Sequence, residues 1–207
     1  MGLYKGPSCK LCRREGVKLF LKSDRCDSPK CALARRAYVP GQHGPTHRSK
    51  LSEYGIRLRE KQKLKRFYYI SESQLSKYFN TANRMHGDTV EELLQLIERR
   101  LDNVVYRLGI VDTRRQARLF VKHGHYRVNG KKVDIPSYLV KEGDVISIAE
   151  SSLASFEGLL AKAKKVNRPS WFITDDNASK YTFNRIPLRD EIEIPINMQF
   201  IVEFYSR

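Results

Sequence analysis

The sequence predicts an α+β protein: an N-terminal segment rich in thiols, a helical subdomain, then two helices joined to a small, mostly antiparallel sheet. Three observations predict it. All four cysteines of the 207 residues fall within the first 31. From position 52 to 122, apolar residues recur every three or four places, the helical period. Beyond that, short alternating runs take over, punctuated by turn residues such as Asn129-Gly130.

The cysteines are spaced Cys9-x2-Cys12 and Cys26-x4-Cys31, two knuckle-like pairs. Four soft ligands brought together by closing one loop suit a tetrahedral metal ion, and binding would supply most of the stability of a segment with little apolar material. Disulfides are disfavoured in a reducing compartment, and unrelated free thiols would rarely cluster. Zinc is the first expectation and an iron–sulfur cluster the alternative. Four protein ligands leave no open position, so reaction chemistry is not expected there.

Residues 38 to 50 hold proline, glycine and two histidines with almost nothing to bury, so they form a loop. Its role is either linker or an arm that orders against nucleic acid, with Gln42 and His43 reaching sugar or base edges. From Ser52 to Arg66 the cations Arg57, Arg59, Lys61, Lys63, Lys65 and Arg66 are too dense for one helical face, with Tyr54, Leu58 and Leu64 left to pack. Only Glu53 and Glu60 offset them locally. Ser71 and Gln74 have capping-box spacing and open a helix with Leu75, Tyr78, Phe79, Ala82 and Met85 inward, ended by Gly87.

Thr89 and Glu92 repeat that spacing before a stripe of Leu94, Ile97, Leu101, Val104, Val105 and Leu108, which reads as one helix stopped by Gly109. Thr113 and Gln116 open the next, near 113 to 123, which buries Ala117, Phe120 and Val121 and stops at Gly124. Arg114, Arg118 and Lys122 share its other face. Arg114 and Arg115 sit in the first turn, where the helix dipole disfavours cations, so an anionic ligand explains them better than stability does. Tyr126-Arg127-Val128, Asn129-Gly130 and Lys131-Lys132-Val133 then form a type I′ hairpin.

Tyr138 to Val140 and Val145 to Ile148 add strands, a helix follows near 152 to 164, and residues 171 to 173 pair with 181 to 183 around Asp175-Asp176-Asn177. Ile192, Ile194, Ile196, Phe200, Val202 and Phe204 alternate, so the chain ends extended, as sheet edge or as a docking face for a neighbour. The expected divisions are 1–45 (metal segment and basic loop), 46–97 (basic helical subdomain), 98–160 (two helices and sheet) and 161–207 (helix end, hairpin and strand).

Charge sorts the function classes. The net charge is +16, which implies a polyanionic partner. Residues 1–66 carry 18 basic against 5 acidic side chains and residues 99–132 carry 10 against 2, while the rest is slightly acidic. Two separate basic regions therefore stand on ordinary protein. No apolar run has the length of a signal peptide core or a membrane span, so the protein is expected in the cytoplasm. The basic helices also lack the wide apolar face that membrane-surface binding needs. No phosphate-cradling glycine motif occurs, and His123 and His125 have no nucleophile with an acidic orienter beside them, so they read as phosphate or stacking contacts. No enzyme is expected. A metal-bearing helix-turn-helix DNA binder and an RNA-modifying enzyme with an appended binding module are the competing classes. The first lacks base-reading Asn or Gln on the second helix, and the second lacks room for a catalytic domain.

Several blocks together carry a family resemblance: Cys9-Lys10-Leu11-Cys12 with Cys26 and Cys31, Tyr38 to Gly44, Arg57 to Leu64, Arg100 to Gly109, Arg114 to Arg118, and His123-Gly124-His125. End to end, the chain resembles the bacterial small-subunit ribosomal protein four family, in its cysteine-containing, metal-binding subset. Arg114 to Arg118 and His123-Gly124-His125, with Val128-Asn129-Gly130, look like the RNA-binding module named after that family. The resemblance implies a structural constituent of the small ribosomal subunit that binds the 5′ domain of its ribosomal RNA at a helix junction and nucleates assembly. It also implies contact with ribosomal protein five at an interface tied to decoding accuracy, a place near the channel where messenger RNA enters, and, in some members, repression of the protein's own messenger. The candidate RNA contacts are Gln42, His43, Arg57, Arg59, Lys61, Lys63, Arg100, Arg107, Arg114, Arg115, Arg118, Lys122, His123, Tyr126, Lys131 and Lys132.

Overall fold

A computed structural model describes residues 4, 6–46, 50–164, 166–175 and 179–206. The chain divides into two compact units, residues 1–93 with 193–207, and residues 94–192.

The first unit is helical: α1 (Ser8–Glu15), a 3-10 turn (Ser23–Cys26), α2 (Ala32–Arg35), α3 (Glu53–Phe67) and α4 (Glu72–Ala82). Ser71, expected to start a helix, does so by accepting from the Gln74 N–H, and Ser52 caps α3 in the same way by accepting from the Gly55 N–H. Helix α4 turns Leu75, Tyr78, Phe79 and Ala82 inward as its period requires. It ends at Ala82, before Gly87, so Met85 is exposed instead of buried. The C-terminal residues are not extended. Met198–Tyr205 forms a helix, α9, capped by the Asn197 carboxamide on the Gln199 N–H. Met198 and Ile201 are buried in that period, and Tyr205 stacks on Phe79 at 4.7 Å, contacts that an alternating strand could not make together.

Helix α5 (Thr89–Glu98) spans the division between the units. Its start differs from the expected Thr89–Glu92 box: Asp88 is the cap, its carboxylate accepting from the Val90 N–H. The expected single helix from Thr89 to Leu108 is broken. Arg100 is extended, with ψ 135°, and a new helix, α6 (Leu101–Arg107), begins after it. The break is held by residues 138–140, which are not a strand of the sheet but bond across the gap: Leu101 donates to Tyr138, and Val140 donates to Arg99. Backbone groups released by the break thus find partners, which removes most of its cost.

In the second unit, α6 packs on α7 (Arg114–Lys122), and a sheet and α8 (Leu153–Ala163) complete the core. The strands are β1 (Tyr126–Val128), β2 (Lys131–Lys132), β3 (Val145–Ile148), β4 (Phe172–Asp175) and β5 (Lys180–Phe183). Their order is β2-β1-β3-β5-β4, antiparallel throughout. Asn129 and Gly130 both have positive φ, 51° and 76°, as a type I′ turn demands. Val104, Val105, Ala117, Val121, Tyr126, Ile146, Phe156 and Phe183 lie in one core under the two helices. The apolar periods read from the sequence are therefore real, whereas the helix break and the terminal helix were hidden by them. The expected hairpin turn at Asp175-Asp176-Asn177 falls largely on residues 176–178, which lie outside the described residues.

Candidate nucleic-acid interface

Whether a cation is available to a partner depends on whether the protein has already used it. Helix α3 has used its own. Arg57 bonds Glu203 (2.6 Å) and Glu53 (3.1 Å), Arg59 and Arg66 both reach Glu15, Lys61 and Lys65 both reach Glu72, and Lys63 bonds Glu60. Lys61 is buried and also stands 4.5 Å from the Phe204 ring centroid. Burial raises the Glu72 carboxyl, but hydrogen bonds from Lys61 and Lys65 outweigh it and hold the group below its ordinary value. Glu15 goes the other way, pushed up by burial against the pull of Arg66 and Arg59. The run that looked uncompensated along the chain is compensated in space.

The second unit repeats the lesson. Asp102 accepts two bonds from the fully buried Arg100 (2.9 and 2.6 Å) and one from Arg118 (3.1 Å). Glu98 takes a two-pronged bond from Arg107 (3.0 and 2.6 Å) and one from the Asn103 amide (2.6 Å). Asn103 in turn accepts from Arg114 Nε at 2.9 Å, and that guanidinium lies 4.2 Å from the centre of the Tyr106 ring. Arg107 and Arg114 are thus struts tying α6 to α5 and α7, and Arg100 is locked against the first turn of α6. Arg114 is 6 % exposed and Tyr126 is fully buried, so neither presents a surface. These placements correct the reading of Arg100, Arg114 and Tyr126 as direct contacts, and the physical reason is burial.

What remains exposed is coherent. Arg115 and Lys122 lie on the open face of α7, at positions i and i+7, with Arg118 between them, anchored at one nitrogen and partly open. The expected trio shared Arg114; the observed one has Arg115 in its place. His123 is exposed just beyond the helix. The hairpin brings Lys132 against Gly124, where a Cβ would come within 2.2 Å of its Cε, and Lys131 precedes it in the same exposed strand. Arg127 stands opposite Lys132 in register and is exposed as well. His125 is tied down instead, its Nδ1 2.8 Å from Ser152 Oγ. One helix face and one hairpin thus gather cations with little else to bind.

In the first unit most of the exposed cations belong to the cysteine segment. Lys10, Arg14, Lys18, Lys22, Arg25, Lys30, Arg35 and Arg36 are all exposed, with no carboxylate at ion-pair distance among the described residues. Gln42 and His43 are exposed in the turn that follows. The four cysteines, none in a disulfide, line one cavity of about 20 Å³ with Lys22, Arg25, Ala32 and Leu33. Helix α1 places Cys9 and Cys12 one turn apart, and Cys26 and Cys31 end the 3-10 turn and precede α2. Burial pushes the Cys12 and Cys26 thiols up, while the Ala34 amide lowers Cys31. Among the described residues no three His, Cys, Asp or Glu side chains stand at ligating distance as placed, so a bound ion would have to draw the thiols inward. The donor set and its convergence on one cavity fit a thiophilic ion.

Comparison with known proteins decides the family. Residues 3–98 match the ribosomal protein S4/S9 N-terminal domain, and residues 99–146 match the S4 domain. The chain is 52% identical over 209 residues to small ribosomal subunit protein uS4 of Pelotomaculum thermopropionicum, 52% to that of Thermodesulfovibrio yellowstonii and 54% to that of a Thermoanaerobacter species, each covered over the full length of both chains. The chain belongs to the uS4 family.

That family is structural and non-enzymatic, part of the cytoplasmic small ribosomal subunit, and its S4 domain binds RNA. No helix among the described residues is long and apolar enough to cross a membrane. The S4-domain match covers α6, α7 and the hairpin, the elements that carry Arg115, Lys122, Lys131 and Lys132. The charge count places the cations interleaved with the cysteines in a basic region but singles out none of them as a contact, although Asp24 and Asp27 are the only acids between Glu15 and Glu53.

Proposed function

We propose that the chain binds the 5′ domain of small-subunit ribosomal RNA at a helix junction, early enough to nucleate assembly, and that with ribosomal protein five it contributes to decoding accuracy. The observation that carries the RNA reading is the sorting of charge: the cations of α3, with Arg100 and Arg107, are taken by internal carboxylates, whereas the α7 face with its hairpin and the cysteine segment gather exposed cations, most of them with no carboxylate at ion-pair distance among the described residues. Such surfaces suit a partner read by phosphate positions and shape more than by base edges. The contacts are Arg115, Arg118, Lys122, His123, Lys131 and Lys132 in one unit, and Gln42 and His43 with the exposed cations of the cysteine segment in the other.

The same proposal includes a single zinc ion held by Cys9, Cys12, Cys26 and Cys31. A cavity of about 20 Å³ is close to the room that one water needs, roughly 10–15 Å³ on the same measure, which favours one ion over a cluster of irons and sulfides. Zinc there would supply structure, closing the loop between the cysteine pairs. Binding of the purified protein to a 5′-domain RNA fragment, to transfer RNA and to duplex DNA, in parallel at matched salt, tests the reading. Preference for the ribosomal fragment is expected, and equal affinity for all three would refute it.

A further inference from the structure

Residues 38–44 have almost nothing to bury, yet they fold on themselves. The Gly44 N–H donates to the Gly41 carbonyl at 3.2 Å, and a Cβ on Gly44 would come within 1.9 Å of the Val39 carbonyl oxygen, so the turn closes too tightly for any side chain there. The His43 carbonyl accepts from both the amide and the hydroxyl of Thr46. Arg13, in the last turn of α1, ties the loop down: its Nε donates to the Tyr38 carbonyl at 3.0 Å, and its guanidinium stands over the Tyr38 ring, 4.7 Å from the centroid. One planar side chain thus holds both the backbone and the ring of Tyr38.

Tyr38 nevertheless stays 39 % exposed, and no other cation, ring or hydrogen-bonding group among the described residues engages its side chain. Tyr54 is exposed too but leans on Phe204, and Phe20 is exposed with no cation behind its ring to fix it. A ring held from one side and open on the other offers a flat apolar surface already oriented, so little freedom is lost when something stacks on it. The surroundings say what that is. Arg35 and Arg36, both exposed, come just before the loop, and no acid occurs between Asp27 and Glu53, so the partner here is a polyanion. The flat groups of a polyribonucleotide are its bases, and inside a duplex both faces of every base are already stacked, so the base on offer is an unpaired one. Resting on the RNA reading above, we propose that Tyr38 is a stacking platform for one unpaired base of the bound RNA, with Arg13 as the positioning residue behind it. Phosphate contact is left to Arg35 and Arg36, whereas the charge of Arg13 is spent within the protein.

Binding of the full chain to the 5′-domain fragment provides the test. Tyr38→Leu should weaken binding about tenfold at unchanged melting temperature, within the range of one base stacked on an aromatic ring, while Tyr38→Phe and Tyr38→Trp should stay within about twofold of the parent. Stacking releases no counterions, so Tyr38→Leu should leave the slope of log affinity against log salt as it is, whereas Arg35→Gln with Arg36→Gln should lower it by roughly one to two. Arg13→Gln should cost about as much as Tyr38→Leu, also at unchanged slope, and the two together no more than either alone, because each breaks the same platform. The indole introduced by Tyr38→Trp gives a direct reading: acrylamide should quench it in the free protein and fail to do so in the complex, Trp171 being buried in both. Tyr38→Leu binding as tightly as the parent, Tyr38→Phe losing as much as Tyr38→Leu, or an indole equally quenched in the complex overturns the platform and leaves the RNA reading standing. Equal affinity of the parent chain for the ribosomal fragment, transfer RNA and duplex DNA removes both.

Discussion

Arg114 and Arg115 are neighbours in sequence with opposite assignments, and replacing each by alanine separates them. Arg114→Ala deletes a charged hydrogen bond to buried Asn103, worth roughly 1.5–3 kcal/mol, and a shielded contact with the Tyr106 ring, worth about 1–2 kcal/mol. A loss of about 3 kcal/mol is the reasonable sum, since the two are not independent. If residues 94–192 unfold as a unit, each kcal/mol lowers the melting temperature by about 4–8 °C, so a drop of roughly 12–24 °C is expected; if the whole chain melts together, about half that. Arg115→Ala removes an exposed side chain and should change stability by no more than about 0.5 kcal/mol. Calorimetry gives the melting temperatures, and filter binding to the 5′-domain fragment, well below both, gives the affinities. Arg115→Ala should bind several-fold more weakly with unchanged melting. An Arg114→Ala protein that melts like the parent but loses RNA affinity would refute the assignment of that residue as a strut.

Four further outcomes are expected. Because exposed cations meet phosphate, affinity should fall steeply with salt, and Lys132→Ala should reduce the slope of log affinity against log salt by about one; a flat response would contradict phosphate contact. Cys9→Ser should lose the metal and loosen the N-terminal segment, which elemental analysis and hydrogen exchange would detect. Gly124→Ala, at φ +76° and against Lys132, should cost about 1 kcal/mol from the left-handed backbone and push that lysine aside, lowering both melting temperature and affinity. Arg185 holds the Glu191 carboxyl down to about 2, from an ordinary 4.5, by a two-pronged bond. A depressed folded value means that this stabilisation is present above pH 4.5 and is lost as pH falls toward 2, so Glu191→Gln should flatten that part of the acid unfolding curve.

The elements legible in the sequence were those fixed by local chemistry. Ser71 and Thr113 cap the helices they precede, and Asn129-Gly130 makes its turn because two consecutive left-handed residues are needed there. The break at Arg100 was not legible, because the apolar period runs through it unchanged and its cause, residues 138–140, lies far along the chain. In the C-terminal segment two periods compete, Phe200, Val202 and Phe204 suggesting a strand while Met198, Ile201 and Tyr205 suggest a helix. Packing of α9 on α3 selects the second. The site was half legible for a related reason. Composition shows how many cations there are, but which of them meet Glu15, Glu72, Glu98 or Asp102 is a tertiary fact, and it decides which remain for a partner.

The account stands on availability of charge, not amount. Two variants that each lose two positive charges test it most directly: Arg115→Gln with Lys122→Gln, and Arg57→Gln with Lys63→Gln, compared for binding to 5′-domain RNA at one salt concentration. The first pair should lose about tenfold or more, the value of a single charge-assisted hydrogen bond at roughly 1.5 kcal/mol, and the second should stay within about twofold. Equal losses in both would show that total charge governs binding and would contradict the account.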